Sequence, residues 1–306
     1  MGAPVKRESN ANEVVAESGG YVLYRHEFEA LRGLIRARAG IHLPDHKAGL
    51  VASRLARRLR TLQLDSFALY AERLQAFGIE ADAELEQFIN ALTTNKTSFY
   101  RESQHFDVLR DDVLVPIYQQ GGVDSRVRIW CSAASTGEEP YTLALTVLEA
   151  AGIAAPGRMP RNTLILATDL DTSVLATARR GVYPEEVVEK VPPALATRYL
   201  VRGSGEQQGH VRPRREVRSL LSFQQLNLIA PTWPMRGPFD AIFCRNVLIY
   251  FDAPTQDEVV RRQAALLAPG GRLFLGHSES MVGTRAGLRG EGHCVFRHRD
   301  PAEEGR

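Results

Sequence analysis

RVRIWCSAASTGEEPYTLAL, Arg126 to Leu145, followed by LILATDLD, Leu164 to Asp171, decides the fold. Val127 to Cys131 is an apolar run short enough for a buried strand. A turn of small residues follows, and then a helical pattern from Gly137 to Ala151. Leu164 to Asp169 is a second buried strand, and it ends on a carboxylate. A strand, a tight turn and a helix, with an acid at the tip of the next strand, is how a parallel α/β sheet holds an adenosine.

The same alternation continues outward. Thr172 to Arg180 is a helix; Phe239 to Cys244 is a strand feeding a helix over Thr255 to Leu267. Arg272 to Gly276 is a further strand after Pro269-Gly270-Gly271, and Cys294 to Arg297 is a last edge strand. Strands alternating with helices imply a doubly wound, mostly parallel sheet. Residues 188–222 are rich in Arg, Gly and Pro with short apolar pieces, which reads as a small inserted β subdomain. Upstream, residues 21–92 are helical by period. Phe28, Leu31 and Ile35 are spaced three and four apart, as are Val51, Leu55, Leu59 and Leu62. Residues 1–20 are expected to be a disordered leader, 93–125 a linker with a connecting helix, 126–299 the α/β domain and 300–306 a tail.

Bulk properties narrow the function. The chain has 306 residues and a formal charge of +2, so attraction to nucleic acid or an acidic partner must come from a local patch. Three cysteines (Cys131, Cys244, Cys294) make no disulfide framework and no metal spacing; no metal site is expected. No apolar run approaches the roughly 20 residues of a membrane span, and no signal peptide is visible. A cytoplasmic location is the expectation.

The turn Ser132 to Gly137 lets a ligand approach the backbone, but Glu138 and Glu139 occupy the first turn of the helix. Two carboxylates repel a phosphate and suit a cationic or hydroxyl-bearing ligand, and the turn lacks the G-x-G-x-x-G order of dinucleotide binders. The plain alternative is a capped helix whose acids complement its dipole. Asp169 can accept both ribose hydroxyls, or it can serve as a loop acid beside a helix capped by Asp171 or Thr172. A cationic adenosine cofactor without phosphates is S-adenosylmethionine. Arg245 and Asn246 after a buried strand face the ligand crevice of such a sheet, Tyr250 follows them, and Asn227 is similarly placed in FQQLNL. Lys47, Arg54, Arg57 and Arg58 cluster beside the apolar stripe of their helix with no acid between Lys47 and Arg60. Such a run is usually a solvated face; it could also dock an acidic helix or a nucleic-acid backbone.

TTNKTSFYRE, CSAASTGEEPYTLAL, ATDLDTSVL, FDAIFCRNVLIYFD and LAPGGRLFLGHSES, in this order, closely resemble the CheR-type chemotaxis receptor methyltransferases over residues 24–299. The resemblance implies an N-terminal all-helical domain and a Rossmann-like doubly wound methyltransferase sheet with a small inserted β subdomain. It implies S-adenosylmethionine-dependent methyl esterification of glutamates on the cytoplasmic helices of chemoreceptors, with S-adenosylhomocysteine as product. By motif, Asn95, Thr97, Arg101, Glu139 (Glu138 its close competitor), Asp169, Asn227, Leu228, Arg245 and Asn246 would hold the cofactor. Arg101 and Tyr250 would flank the reacting carboxylate. Arg54, Arg57, Arg58 and Arg202 would meet the receptor. Some members use the insertion to grip a receptor's C-terminal tether peptide. A monomer recruited to membrane receptor arrays, with no nucleic acid and no membrane insertion, is the expected state. Tyr100 replaces the usual second Phe of the FFRE stretch.

Two other functions stay open at this level. A nucleic-acid methyltransferase would share the core and the basic helix, but CRNVLIY lacks the Asn-Pro-Pro-aromatic signature of amino-methylating DNA enzymes. A receptor-binding module that holds the cofactor without turnover is the other.

Overall fold

The computed structural model describes residues 11–297, which fall into two units divided between Thr94 and Asn95. The expected tail, 300–306, and the first ten residues of the expected leader lie outside the described residues.

The first unit opens with an antiparallel hairpin, β1 (Val14–Ser18) and β2 (Tyr21–Tyr24). The leader expectation is corrected here: its second half is an ordered strand turned by Gly19-Gly20, both at positive φ. Four helices follow: α1 (Arg25–Ala39), α2 (Ala48–Leu62), α3 (Phe67–Gln75) and α4 (Ile79–Leu92). Glu27 accepts the Tyr24 N–H at 2.9 Å at the start of α1. Gly40, at φ 72°, closes its end by donating to the Arg36 carbonyl. The helices bury Phe28, Leu31, Ile35, Val51, Leu55, Leu59, Phe67, Tyr70 and Phe88, the faces the three-and-four spacing marks.

In the second unit, α5 (Gln104–Val108), a π-helical turn (Leu109–Leu114) and α6 (Val115–Gly121) precede the sheet. Then come β3 (Val127–Cys131), α7 (Glu138–Ala154), β4 (Thr163–Asp169) and α8 (Thr172–Arg180). The insertion holds β5 (Tyr183–Pro184), α9 (Pro193–Tyr199), β6 (Leu200–Arg202), β7 (His210–Pro213) and α10 (Arg215–Arg218). The chain continues through β8 (Leu221–Gln225), β9 (Phe239–Cys244), α11 (Ala253–Ala264), β10 (Leu267–Leu275), α12 (Ser280–Arg285), β11 (Arg289–Gly292) and β12 (Val295–Arg297).

The main sheet runs β11-β12-β10-β9-β3-β4-β8. β10, β9, β3, β4 and β8 are parallel, and β12 is antiparallel to both β10 and β11. From β3 the chain winds outward to β4 and β8. It then returns to the other flank of β3 for β9 and β10. The switch point therefore lies between the carboxyl ends of β3 and β9, where such sheets bind ligands. Both faces are covered, one around Ile129, Tyr141, Leu145, Phe243 and Phe274, the other around Trp130, Ile242, Phe239, Val260 and Leu273.

Several expected boundaries shift. β10 starts at Leu267 and runs through Pro269-Gly270-Gly271, which the sequence reading puts before the strand. α11 starts at Ala253 because Asp252 caps it, accepting the Thr255 N–H at 3.1 Å, and Pro254 suits the first turn. β8 takes Leu221 and Ser222 from the expected insertion. Its LSFQQ alternation is faint because it is an edge strand, paired among the described residues with β4 alone. The insertion itself begins at Tyr183 as a three-stranded antiparallel sheet, β5-β7-β6, with two short helices as well as strands.

Candidate functional site

Gly137 sets the turn after β3. Its φ is 103°, and a Cβ there would stand 2.6 Å from Tyr183 Oη and 2.9 Å from Ala178 Cβ. Only glycine fits, so α7 starts at the same place each time and its first two residues, Glu138 and Glu139, are fixed at the sheet edge. Their environments differ. Glu138 accepts a hydrogen bond from Thr136 Oγ1 at 2.6 Å. Glu139 accepts the Cys131 thiol at 3.3 Å and pairs with Arg245 Nη1 at 3.1 Å. Glu139 is thus the acid at the switch point. Burial pushes its carboxyl up, and the Arg245 guanidinium pulls against that rise.

Asp169 ends β4 and reaches back to the same turn. One oxygen accepts the Ser135 N–H at 2.7 Å and the other the Asp171 N–H at 3.0 Å. Burial raises this carboxyl as well, against those backbone donors. Leu226 N–H donates to the Asp169 carbonyl at 2.9 Å, which brings the end of β8, with Asn227 and buried Leu228, beside it. Asn227 holds its own turn by accepting the Ile229 N–H at 3.1 Å. Asn95 Nδ2 donates to Asp171 at 2.8 Å, and its carbonyl accepts Ser135 Oγ at 2.9 Å, so the linker segment is laced across the turn.

Arg245 follows β9, and its side chain is fully buried. Its guanidinium pairs with Glu139, lies 3.3 Å from Glu102, donates to the Arg101 carbonyl and packs over the Phe106 ring at 5.4 Å. A buried guanidinium cannot shed its charge, so it needs these counter-charges. Tyr100, Glu102, Ser135 and Asn246 all sit at φ between +48° and +57°. Non-glycine residues hold that conformation where the surroundings dictate it, and functional sites collect such positions.

One residue that sequence reading left without a role organises the other wall. Glu279 is buried, and its carboxylate accepts four backbone N–H groups: Gly276 at 2.8 Å, Asn246 at 2.9 Å, Leu248 at 2.8 Å and Ile249 at 3.3 Å. Burial raises its carboxyl against the pull of those donors. It joins the loops after β9 and β10 and fixes the turn Leu248–Tyr250 that carries Tyr250. A Cβ at Gly276 would stand 2.6 Å from Asn246 Nδ2 and 2.8 Å from Glu279 Oε2, so both side chains would have to give way. The GHSES motif contained the signal, but a buried acid is indistinguishable by type from a surface one.

Glu102, His105 and His277 each bring one ligand atom within 4.8 Å of the others. The Arg245 guanidinium 3.3 Å from the shared Glu102 oxygen already supplies positive charge there, and a divalent ion would have to sit against it.

The structure therefore brings Asn95, Arg101, Glu139, Asp169, Asn227, Leu228, Arg245 and Asn246 into one connected region. Thr97 is half-buried on the linker beside them in sequence. Other expected residues are placed elsewhere. Arg202 is exposed on β6 of the small sheet, 3.8 Å from Glu185. In the helical unit, Arg54 donates to the Leu92 and Thr93 carbonyls at 2.9 and 2.7 Å, capping the end of α4. Arg58 is clasped by buried Glu84, which Tyr70 also donates to. Both guanidinium groups, expected to face an acidic substrate, make contacts within the unit. Arg57 is exposed.

Comparison with known proteins gives two family matches. Residues 26–93 match "CheR methyltransferase, all-alpha domain", and residues 95–291 match "CheR methyltransferase, SAM binding domain". The chain is 44% identical over 272 residues to chemotaxis protein methyltransferase 2 of Pseudomonas aeruginosa, covering 89% of this chain and 92% of that protein. It is 45% identical over 266 residues to the chemotaxis protein methyltransferase of Escherichia coli, covering 86% and 88%. The Salmonella typhimurium protein of the same name is 46% identical over 253 residues, covering 83% of each.

Proposed function

This chain belongs to the CheR methyltransferase family, and from that premise we propose that it methyl-esterifies glutamate side chains on the cytoplasmic helices of chemoreceptors. One observation carries the reading. The switch point presents Glu139 and Asp169, tied to a linker bearing Arg101, where a dinucleotide site would present bare backbone N–H groups. Carboxylates in that place suit a sulfonium nucleoside and oppose a pyrophosphate. S-adenosylmethionine supplies an electrophilic methyl group, which a carboxylate oxygen takes as the carbon–sulfur bond breaks, leaving S-adenosylhomocysteine and a methyl ester.

The residues of this chain then have positioning tasks. A glutamate with its pKa of about 4.3 is ionised at neutral pH, so no general base is required. In this reading Asp169 holds the ribose hydroxyls, and Glu139 faces the methionine or ribose end. Asn95, Thr97, Asn227, Leu228, Arg245 and Asn246 line the crevice. Arg101 holds one acceptor oxygen, and Tyr250 closes the other side, so that oxygen, carbon and sulfur lie in line. The crevice strips water from the carboxylate, a poor nucleophile when hydrated. A single oriented contact from Arg101 serves better than a bidentate clamp, which would withdraw charge from the oxygen.

Arg57 on the exposed flank of α2 recognises the acidic receptor helix. The β6 edge of the small sheet, bearing Arg202, offers free backbone groups to an extended receptor tether peptide. The protein acts as a monomer in the cytoplasm at receptor arrays; among the described residues no helix is long and apolar enough to cross a membrane. The test is calorimetry with S-adenosylmethionine and S-adenosylhomocysteine, followed by labelled methyl transfer to receptor cytoplasmic fragments. Base-labile methanol release is expected. A base-stable label, or no affinity for either nucleoside, rejects the reading.

A further inference from the structure

We propose that Glu102 is the positioning residue that fixes Arg101 at the methyl-transfer site, acting through Arg245. The inference rests on the methyl-ester reading and deepens it. Arg101 lies between two left-handed residues, Tyr100 at φ 50° and Glu102 at φ 54°. L-residues keep such a backbone only where several contacts agree on it. Three contacts do so here. Tyr100 N–H donates to Thr142 Oγ1 at 3.2 Å, anchoring one flank to α7. The Arg101 carbonyl accepts Arg245 Nη2. The same Nη2 lies 3.3 Å from the Glu102 carboxylate, closing a ring around the Arg101–Glu102 peptide.

Glu102 is the member that keeps this ring charged. Arg245 has two counter-ions, Glu139 and Glu102. Glu139 stands at the switch point, where a cationic cofactor competes for it. Glu102 faces inward: its remaining neighbours are His105 Nδ1 at 3.7 Å, His277 Nε2 at 3.8 Å and Asn246 Nδ2 at 3.5 Å. It therefore holds Arg245 against the linker while Glu139 serves the ligand. Glu102 reaches the reaction through Arg245 and the peptide of Arg101, with Asn246 Nδ2 at 3.5 Å as its other link to the crevice.

The test compares Glu102→Gln and Glu102→Gly with the wild-type chain. Gln keeps the shape and removes the charge. Gly adopts positive φ freely, so it relieves the backbone while removing the carboxylate. Turnover on a receptor fragment is expected to fall on the order of 100-fold in both, the effect of misplacing a reacting group by about 1 Å. The calorimetric Kd for S-adenosylmethionine and the receptor KM stay within roughly threefold, because the loss is confined to the transition state. Glu102→Asp restores part of the rate. Wild-type turnover in the Gln and Gly variants overturns the inference. Loss of cofactor affinity in step with turnover does so too, since it marks a binding residue. A wild-type protein that binds the cofactor yet releases no methanol overturns the underlying methyl-ester reading, and this inference with it.

Discussion

Replacing Glu279 by Gln probes how one wall of the crevice is held. Glu279 Oε2 accepts Gly276 and Asn246 N–H at 2.8 and 2.9 Å, and Oε1 accepts Leu248 and Ile249 N–H at 2.8 and 3.3 Å. A glutamine of the same shape has one oxygen and one NH2. Whichever way the amide turns, two backbone N–H groups lose their acceptor and meet another donor. Hydrogen bonds to a charged group contribute roughly 1.5–3 kcal/mol each, so two amount to roughly 3–6 kcal/mol. The 3.3 Å bond to Ile249 is the weakest of the four. The amide turns its NH2 toward that side, and the expected loss is the low end, about 3 kcal/mol. For a unit of this size that lowers Tm by roughly 6–12 °C. Scanning calorimetry reads the shift, and titration with S-adenosylmethionine on the same samples reads the loosening of the Asn246–Tyr250 loop as lost affinity. A Glu279→Gln protein melting within about 3 °C of wild type, roughly 1 kcal/mol, would refute the carboxylate clamp.

Asp169→Asn keeps one acceptor and forfeits the other, so S-adenosylmethionine affinity falls roughly 10- to 100-fold by calorimetry; unchanged affinity removes Asp169 from the ribose. In the helical unit, Arg58→Ala strands the buried Glu84 carboxylate and costs about 3 kcal/mol in urea unfolding, and Arg54→Glu destabilises by putting an anion at the carbonyl end of α4. Arg57→Glu leaves stability alone and raises the receptor KM; equal effects from all three would erase the division between structural and recognition arginines. His105 supplies the pH prediction. Burial and then the Arg245 guanidinium hold its pKa down to about 4. The unfolded histidine takes its proton near 6.5, so the unfolded state binds more protons between these values. Stability is therefore present above about pH 6.5 and lost as pH falls toward 4, by roughly 3 kcal/mol from this residue. Urea unfolding at pH 7.5 and 4.5 should show a smaller acid loss in His105→Gln than in wild type; an identical loss would rule His105 out as its source.

The parallel sheet was legible because its strands are continuous apolar runs. Phe239–Cys244 matches the expected strand end for end, and α8 does the same because Asp171 caps its start and Gly181 its stop. Period alone failed where a strand is polar and at an edge, as in β8, or where a helix is set by a cap, as in α11. That Asp169 and Glu139 stand at the sheet's carboxyl edge could be read from position, one ending a buried strand and the other in the first turn of the helix after one. The basic flank of α2 could not. Arg54, Arg57 and Arg58 are equivalent on a helical wheel, and what separates them is the end of α4 and Glu84, some 26 to 39 residues away in the chain. Glu102 and Glu279 were hidden for the same reason: their partners are backbone groups and a guanidinium from distant segments.

The charge balance of the crevice explains why it selects a cation. Glu139 and Asp169 converge on it, and Arg245 is buried between Glu139 and the inward-facing Glu102. Among the described residues Asp169 is answered by backbone N–H groups, which are dipoles and carry no full counter-charge. Ionised, these carboxylates make the carboxyl edge attractive to a cation, and low-dielectric walls strengthen their field. A sulfonium gains from that field in the ground state, which favours binding more than turnover. The methyl acceptor is itself an anion and is repelled by it, so binding the cofactor and admitting the carboxylate make opposite electrostatic demands. In the proposed mechanism Arg101 answers the second demand from the linker. On that proposal its placement, between the positive-φ residues Tyr100 and Glu102, governs the rate more than it governs cofactor affinity.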